Sequence, residues 1–303
     1  MNASPFLELS VEVARALDER RAVVALETTL VTHGLPAPEG LEAAAEMEGV
    51  VREAGAVPAT TGVLGGRVRV GLPSRELAAL AAAPGVQKLN PGNLAATVCS
   101  GRPGSTTVAA TVMIAARAGI RVFATGGIGG VHHGARNTGD ISADLMALAR
   151  YPVAVVCAGA KAVLDLPRTL EMLETLGVPV LGFRTDRFPA FYRRDSGLEV
   201  DARVDDVEDL AAVVRTHLDL GTGGVLVANP IPVESEMAED LYARSLERAI
   251  ADAEKAGVRG RGVTPFLLER MRQLSEGASL FSNRALLINN ARLAGHLAVA
   301  LSA

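Results

Sequence analysis

Six short apolar runs recur along this chain of 303 residues: Val23–Leu26, Val57–Leu64, Val122–Ala124, Val153–Cys157, Val178–Leu181 and Val225–Ala228. Most lack any polar alternation, which suits strands covered by helices on both faces. Between them lie helical patterns at about 39–54, 75–82, 106–118, 142–150, 168–176 and 206–219, and from about 235 onward the chain reads as helix alone. This rhythm predicts an α/β fold, a three-layer α/β/α sandwich around a central sheet. The Val57–Gly71 stretch carries Gly62, Gly65 and Gly66 ahead of alternating Arg67-Val-Arg-Val70, so it predicts a hairpin and a mixed sheet. Between Arg184 and Val204 the rhythm breaks, and Phe188-Pro-Ala-Phe-Tyr192 is expected to cover a site or a subunit contact. No repeat, low-complexity tract or linker divides the chain, so residues 1–303 are read as a single domain.

Aromatic residues make up only 3% of the chain, so its core must be built from Ala, Val, Leu and Ile. With 30 basic and 34 acidic residues and no basic block, an extended nucleic-acid footprint is not expected. One small anionic ligand remains compatible, because a single phosphate needs only a few local donors. Cys99 and Cys157 lie in apolar or small-residue stretches and read as buried thiols rather than a disulfide. The first ten residues lack the basic start and apolar core of a signal peptide. No apolar run approaches the roughly 18 residues of a spanning helix. A soluble cytoplasmic protein without membrane partners is the expectation.

Only Lys88, Lys161 and Lys255 among the basic residues are lysines. A guanidinium stays protonated, whereas a desolvated ammonium can lose its proton and attack carbon. Lys255 ends a charged amphipathic helix before Gly257 and reads as a solvated surface residue. Lys161 follows Tyr151–Ala160, ten residues without a formal charge, a low-polarity surrounding that favours a neutral, nucleophilic amine. The alternative is a lysine snorkelling from the core.

Other candidates stand mostly where strands are expected to end, the usual ligand edge of an α/β sheet. Glu27, in Leu26-Glu-Thr-Thr-Leu-Val-Thr-His-Gly34, is placed either as a general acid or as a carboxylate bonded to the Thr28 and Thr29 amides. Lys88 sits in Gln87-Lys-Leu-Asn-Pro-Gly-Asn93, a turn, as a surface residue or a point charge for a phosphate or carbonyl. In Ala124-Thr-Gly-Gly-Ile-Gly-Gly-Val-His-His-Gly134, five glycines would let the backbone approach a ligand. As a dinucleotide fingerprint that loop fails, because the third glycine is misplaced and no helix opens directly behind it. Asp140 and Asp144, four apart, are expected on one helix face, where two carboxylates could hold Mg²⁺ or Mn²⁺ largely through water, with an N-cap as the alternative for Asp140. His132 and His133 are phosphate donors, metal ligands or plain loop residues. The hydroxyls of Ser105-Thr-Thr107 open a helix that could bind phosphate.

Taken in order, Glu27-Thr-Thr-Leu-Val-Thr-His-Gly34, Ser105-Thr-Thr-Val-Ala-Ala110, Ala124-Thr-Gly-Gly-Ile-Gly-Gly-Val-His132, Asp140-Ile-Ser-Ala-Asp-Leu145, Cys157-Ala-Gly-Ala-Lys161 and Asn289-Asn-Ala-Arg-Leu-Ala294 resemble the pseudouridine-5′-phosphate glycosidase family, also called pseudouridylate synthase or indigoidine synthase A-like. The resemblance implies reversible cleavage of pseudouridine 5′-phosphate to uracil and ribose 5-phosphate, with one Mn²⁺ per subunit and a homotrimer of α/β/α subunits. It makes Lys161 the nucleophile, Glu27 the proton donor and Asp140 the metal ligand. Lys88, Val108 and Ser142-Ala143-Asp144 match substrate-binding positions, and Thr107, His132 and Asn289 join them as candidates. The chain departs from the family's pattern at Thr28, where Ser is common, at Ala162, and at His133, where a basic residue is often found. Competing readings are a Schiff-base aldolase acting on another sugar phosphate and a metabolite-binding protein that keeps the fold without catalysis.

Overall fold

Strands without polar alternation need cover on both faces, and this chain supplies it with helices. The computed structural model describes residues 6–258 and 260–303. Its strands are β1 (Leu7–Leu9), β2 (Val23–Leu26), β3 (Val57–Leu64), β4 (Arg67–Val70), β5 (Gln87–Leu89), β6 (Gly104–Thr106), β7 (Val122–Ala124), β8 (Ala154–Cys157), β9 (Val180–Phe183), β10 (Ala202–Val204) and β11 (Val225–Ala228). The helices are α1 (Val11–Asp18), α2 (Glu39–Glu53), α3 (Ser74–Ala82), α4 (Leu94–Cys99), α5 (Val108–Ala118), α6 (Ala135–Thr138), α7 (Ala143–Arg150), α8 (Leu166–Thr175), α9 (Val207–Asp219), α10 (Glu239–Lys255), α11 (Val263–Leu274) and α12 (Ala278–Ser302). Among the described residues no helix is long and apolar enough to cross a membrane.

The strands join in the order β1-β4-β3-β2-β7-β8-β11-β9-β10, with β6 pairing to β3 and β5 to β6. The sheet is mixed as expected: β3 runs antiparallel to β4 and β6, while the pairs along the rest of the path are parallel. What matters for function is the trio β2, β7 and β8. Leu26 pairs with Ala124, and Ala124 with Val156, so the three strands end together at one edge. Residues β2, β8, β9 and β11 contribute to the sheet are buried throughout, which explains their unbroken apolar runs. Helix α12 packs on α2 and α9 and crosses β7, β8 and β2.

Several expectations required correction. The strand expected at Val178–Leu181 starts at Val180, because the Val178 amide donates back to Leu173 O of α8 (2.9 Å). Lys88, expected on a turn, lies within β5, which aligns it with Ser105 of β6. Residues 106 and 107, expected as helix, are the end of β6 and the cap of α5. Cys99 is exposed, because the short helix α4 buries Thr97 and Val98 instead; Cys157 is buried, and both thiols are free. The segment around Phe188–Tyr192 does cover something: Phe188, Phe191 and Tyr192 are buried, and the Phe191 amide donates to Ala158 O (3.1 Å) beneath the Lys161 loop.

Candidate active site

Beyond the ends of β7 and β8 the chain stays paired. The Ala158 amide donates to Gly126 O (2.9 Å), Ile128 to Gly159 O (3.1 Å), Lys161 to Ile128 O (3.0 Å) and Asp165 to Val131 O (2.9 Å). The glycine-rich and lysine-bearing loops are thus zipped into a continuation of the sheet, which fixes the backbone of Lys161. The five glycines do a different job from the one expected. A Cβ at Gly129 would stand 2.3 Å from Ser142 Oγ, and one at Gly130 2.3 Å from Thr169 Oγ1. These glycines let the loop pack against its own protein: Gly126, Gly127, Gly129 and Gly130 are buried, and only Gly134 is exposed.

Asp144 is the reason the loop holds its shape. Its Oδ1 accepts from the Ala109 amide (2.8 Å) at the start of α5, and its Oδ2 from the Gly129 amide (2.7 Å). With both oxygens engaged and only 5% of the residue exposed, Asp144 is a clamp between loop and helix. The expected shared face with Asp140 is absent. Ser142 caps α7, its Oγ accepting from the Asp144 amide (3.2 Å), so the helix begins at Ala143 and Asp140 precedes it, half-buried on the loop. Asp144→Ala leaves two buried amides without their acceptor, so it should cost roughly 2–4 kcal/mol of stability. Chemical denaturation of wild type and variant checks this; a loss under 1 kcal/mol would mean that the clamp is not structural.

Glu27 emerges directly from β2, half-buried. Neither the Thr28 nor the Thr29 amide holds it. Thr28 instead bonds across to Thr106 and Thr61, its Oγ1 donating to Thr61 O (2.8 Å) and accepting from the Thr106 amide (2.9 Å). The partner of Glu27 is Thr125, whose hydroxyl donates to Oε1. Burial pushes the Glu27 carboxyl above the usual carboxylate range, with Asp144 adding to the rise; the Lys161 ammonium, the Thr125 hydroxyl and Lys88 oppose it without cancelling it. Lys88 is pushed below the usual lysine range by burial and by Lys161, opposed by Asp144 and Glu27. His132 is held down by burial, with Asp140 opposing, and its Nδ1 is buried without a partner. Glu27, Lys88, Lys161, Asp144, Asp140 and His132 therefore act on one another in one place. The sequence had scattered them over 135 positions, from 27 to 161.

The remaining candidates are placed as follows. Thr107 caps α5, its hydroxyl donating to Leu89 O (2.7 Å) and accepting from the Ala110 amide (3.4 Å). Val108 buries its side chain, and among the described residues no acceptor takes its amide, which leaves a donor at a helix N-terminus. Ala143 is exposed and Ser142 half-buried. Asn289 donates to Pro230 O (3.1 Å). His33 bridges Thr32 Oγ1 (2.7 Å) and Ser105 Oγ (3.3 Å) beside Lys88. Two contributors escaped the sequence reading: Thr125 and Asn290. Asn290 carried a visible signal, a polar residue set in the apolar stripe of Leu286, Leu287, Leu293, Ala294 and Leu297.

Comparison with known proteins covers nearly the whole chain. The profile described as "Indigoidine synthase A like protein" matches residues 12–300. A protein of Caldanaerobacter subterraneus subsp. tengcongensis named pseudouridine-5′-phosphate glycosidase is 52% identical over 98% of this chain and 97% of its own. One of the same name from Methylobacterium nodulans is 58% identical over 98% and 88%. Among solved structures, the prealnumycin C-glycosynthase AlnA in complex with ribulose 5-phosphate superposes with a TM-score of 0.91 at 40% identity, covering 99% of this chain and 98% of that one. An indigoidine synthase A-like protein from Thermotoga maritima gives 0.89 at 36% identity, over 98% and 97%. With its motifs gathered at one sheet edge and relatives matched end to end, this chain belongs to the indigoidine synthase A-like family.

Proposed function

We propose that this protein cleaves the C-glycosidic bond of pseudouridine 5′-phosphate reversibly, giving uracil and ribose 5-phosphate. The observation that carries the reading is the electrostatic interaction of Glu27, at the end of β2, with Lys161, on the loop after β8, in a chain 52–58% identical to glycosidases of that name. The bond joins carbon to carbon, so uracil is a poor leaving group for the two-carboxylate route of ordinary glycosidases. An amine offers another path. Unprotonated Lys161 Nζ attacks C1′, the C1′–O4′ bond breaks, and O4′ takes the proton of Glu27. The attacking nitrogen then gives up one of its two protons, which passes through the Glu27 carboxylate to uracil C5; the C1′–C5 pair stays with the base, and the freed nitrogen lone pair forms an imine to C1′. Water releases ribose 5-phosphate and frees the lysine.

Substrate contacts fall to Lys88 and the Val108 amide as phosphate or carbonyl donors, to Ser142, Ala143 and His132 along the loop, with Thr107, Asp144 and Asn289 as fixed supports. The donor set fits a hydrated hard cation anchored at Asp140. Asp144 already holds two amides, and among the described residues no three His, Cys, Asp or Glu side chains gather as a closed site. Mn²⁺ held by Asp140 and water would supply positive charge that fixes the polar end of the substrate. The proposal extends to a homotrimer in the cytoplasm, the assembly being checked by analytical ultracentrifugation.

The direct test supplies pseudouridine 5′-phosphate and Mn²⁺ and follows uracil by chromatography. Stoichiometric uracil and ribose 5-phosphate support the reading. A folded, metal-supplied protein that releases no uracil would overturn it.

A further inference from the structure

Glu27 is not left to find its own orientation. Strand β7 lies between β2, which presents Glu27, and β8, which leads to Lys161, and Thr125 is the first residue beyond it. All of its polar groups are engaged: the amide donates to Val156 O (3.1 Å), the carbonyl accepts from Asn290 Nδ2 (2.9 Å), and the hydroxyl donates to Glu27 Oε1. Asn290 is fully buried in α12 and held in turn, its Oδ1 accepting from Asn229 Nδ2 (3.0 Å) while Nδ2 also reaches Gly126 O (3.4 Å). Asn229 closes the chain by donating its own amide to Cys157 O (2.8 Å) at the end of β8. An amide in an apolar helix stripe is costly unless its bonds are made, so a satisfied one fixes its own rotamer and its neighbours'.

We propose that Thr125 is a positioning residue that aims the Glu27 acid at the ribose ring oxygen, with Asn290 holding Thr125 in place. The assignment rests on the function proposed above. Its chemistry is directional. A hydroxyl donating to Oε1 makes that oxygen the acceptor, so the transferable proton resides on Oε2, and the carboxyl presents one defined O–H to O4′. Thr125 touches Glu27 and acts through it.

The experiment compares wild type, Thr125→Val and Thr125→Ser across pH with pseudouridine 5′-phosphate as substrate. General acid catalysis is worth roughly 10²–10⁴-fold, and a misaimed acid keeps part of it, so Thr125→Val is expected to lower kcat about tenfold. The lost hydroxyl no longer favours the carboxylate, so the limb on which rate falls with rising pH moves to higher pH. Lys161, Lys88 and Asp144, which also face the carboxyl, are unchanged by the variant. Thr125→Ser keeps the donor and restores both rate and limb. A Thr125→Val enzyme with wild-type rate, or a slower one whose limb has not moved, would overturn the proposal. Should that variant not fold, Thr125→Ala gives the same readout. A wild type without any activity would instead sink the proposed function, so the two failures are distinguishable.

Discussion

Lys161→Ala is expected to reduce turnover of pseudouridine 5′-phosphate to background, a loss of at least about 10⁴-fold, as for other covalent nucleophiles. The fold should be indifferent, because the backbone of Lys161 is held through its own amide to Ile128 O and through its carbonyl, which accepts from the Leu164 amide (3.1 Å). The side chain is half-exposed, so the melting transition should move little. Lys161→Arg should be equally dead, since a guanidinium keeps its proton. Borohydride trapping with ribose 5-phosphate adds the chemical identity: the reduced pentose phosphate should appear on the Lys161 peptide and vanish in both variants. The informative rival is Lys88, a second amine in the same cluster that burial and Lys161 push toward its neutral form. An adduct on Lys88, or an active Lys161→Arg enzyme, would transfer the nucleophile's role or abolish it.

The parts of the fold that could be read in advance are those stabilised locally. Runs such as Val225–Ala228 announce buried parallel strands, and the glycine-rich stretch after Leu64 announces its hairpin. Strands β5, β6 and β10 have three residues each and owe their existence to distant partners, so no local pattern marks them. The same division runs through the site. Glu27 and Lys161 were legible because each follows an apolar strand and is the wrong residue to bury. What the glycines accommodate was not legible: Ser142 and Thr169 reach Gly129 and Gly130 from other elements. Nor does the sequence show that Asp144 already has two amides in its grasp, which separates a clamp from a ligand. Asn290 was hidden by its neighbour Asn289. The two differ only in which side of α12 they occupy, toward Thr125 or toward Pro230.

Glu27→Gln should separate catalysis from stability in opposite directions. Glutamine keeps the shape and still accepts from the Thr125 hydroxyl but carries no transferable proton, so kcat should fall by roughly 10²–10⁴-fold. The pH profile should change with it. Burial raises the Glu27 carboxyl above its ordinary range, and the wild-type rate should fall as pH rises through that elevated value; the variant loses this limb. For stability the sign follows from linkage. A carboxyl raised on folding contributes fully below the unfolded value, about 4.3 for glutamate, and that contribution is lost as pH rises through the native value. Above that raised value the ionised Glu27 is therefore a liability that the enzyme retains for its acid. Glu27→Gln should melt above wild type once pH exceeds that raised value, with the difference closing as pH falls toward the unfolded value. Calorimetry across that range checks it. A variant that melts below wild type at every pH in the range would mean that the attraction of Lys161 and Lys88 outweighs the burial of the carboxylate, and Glu27 would then hold its proton too weakly to serve as the acid.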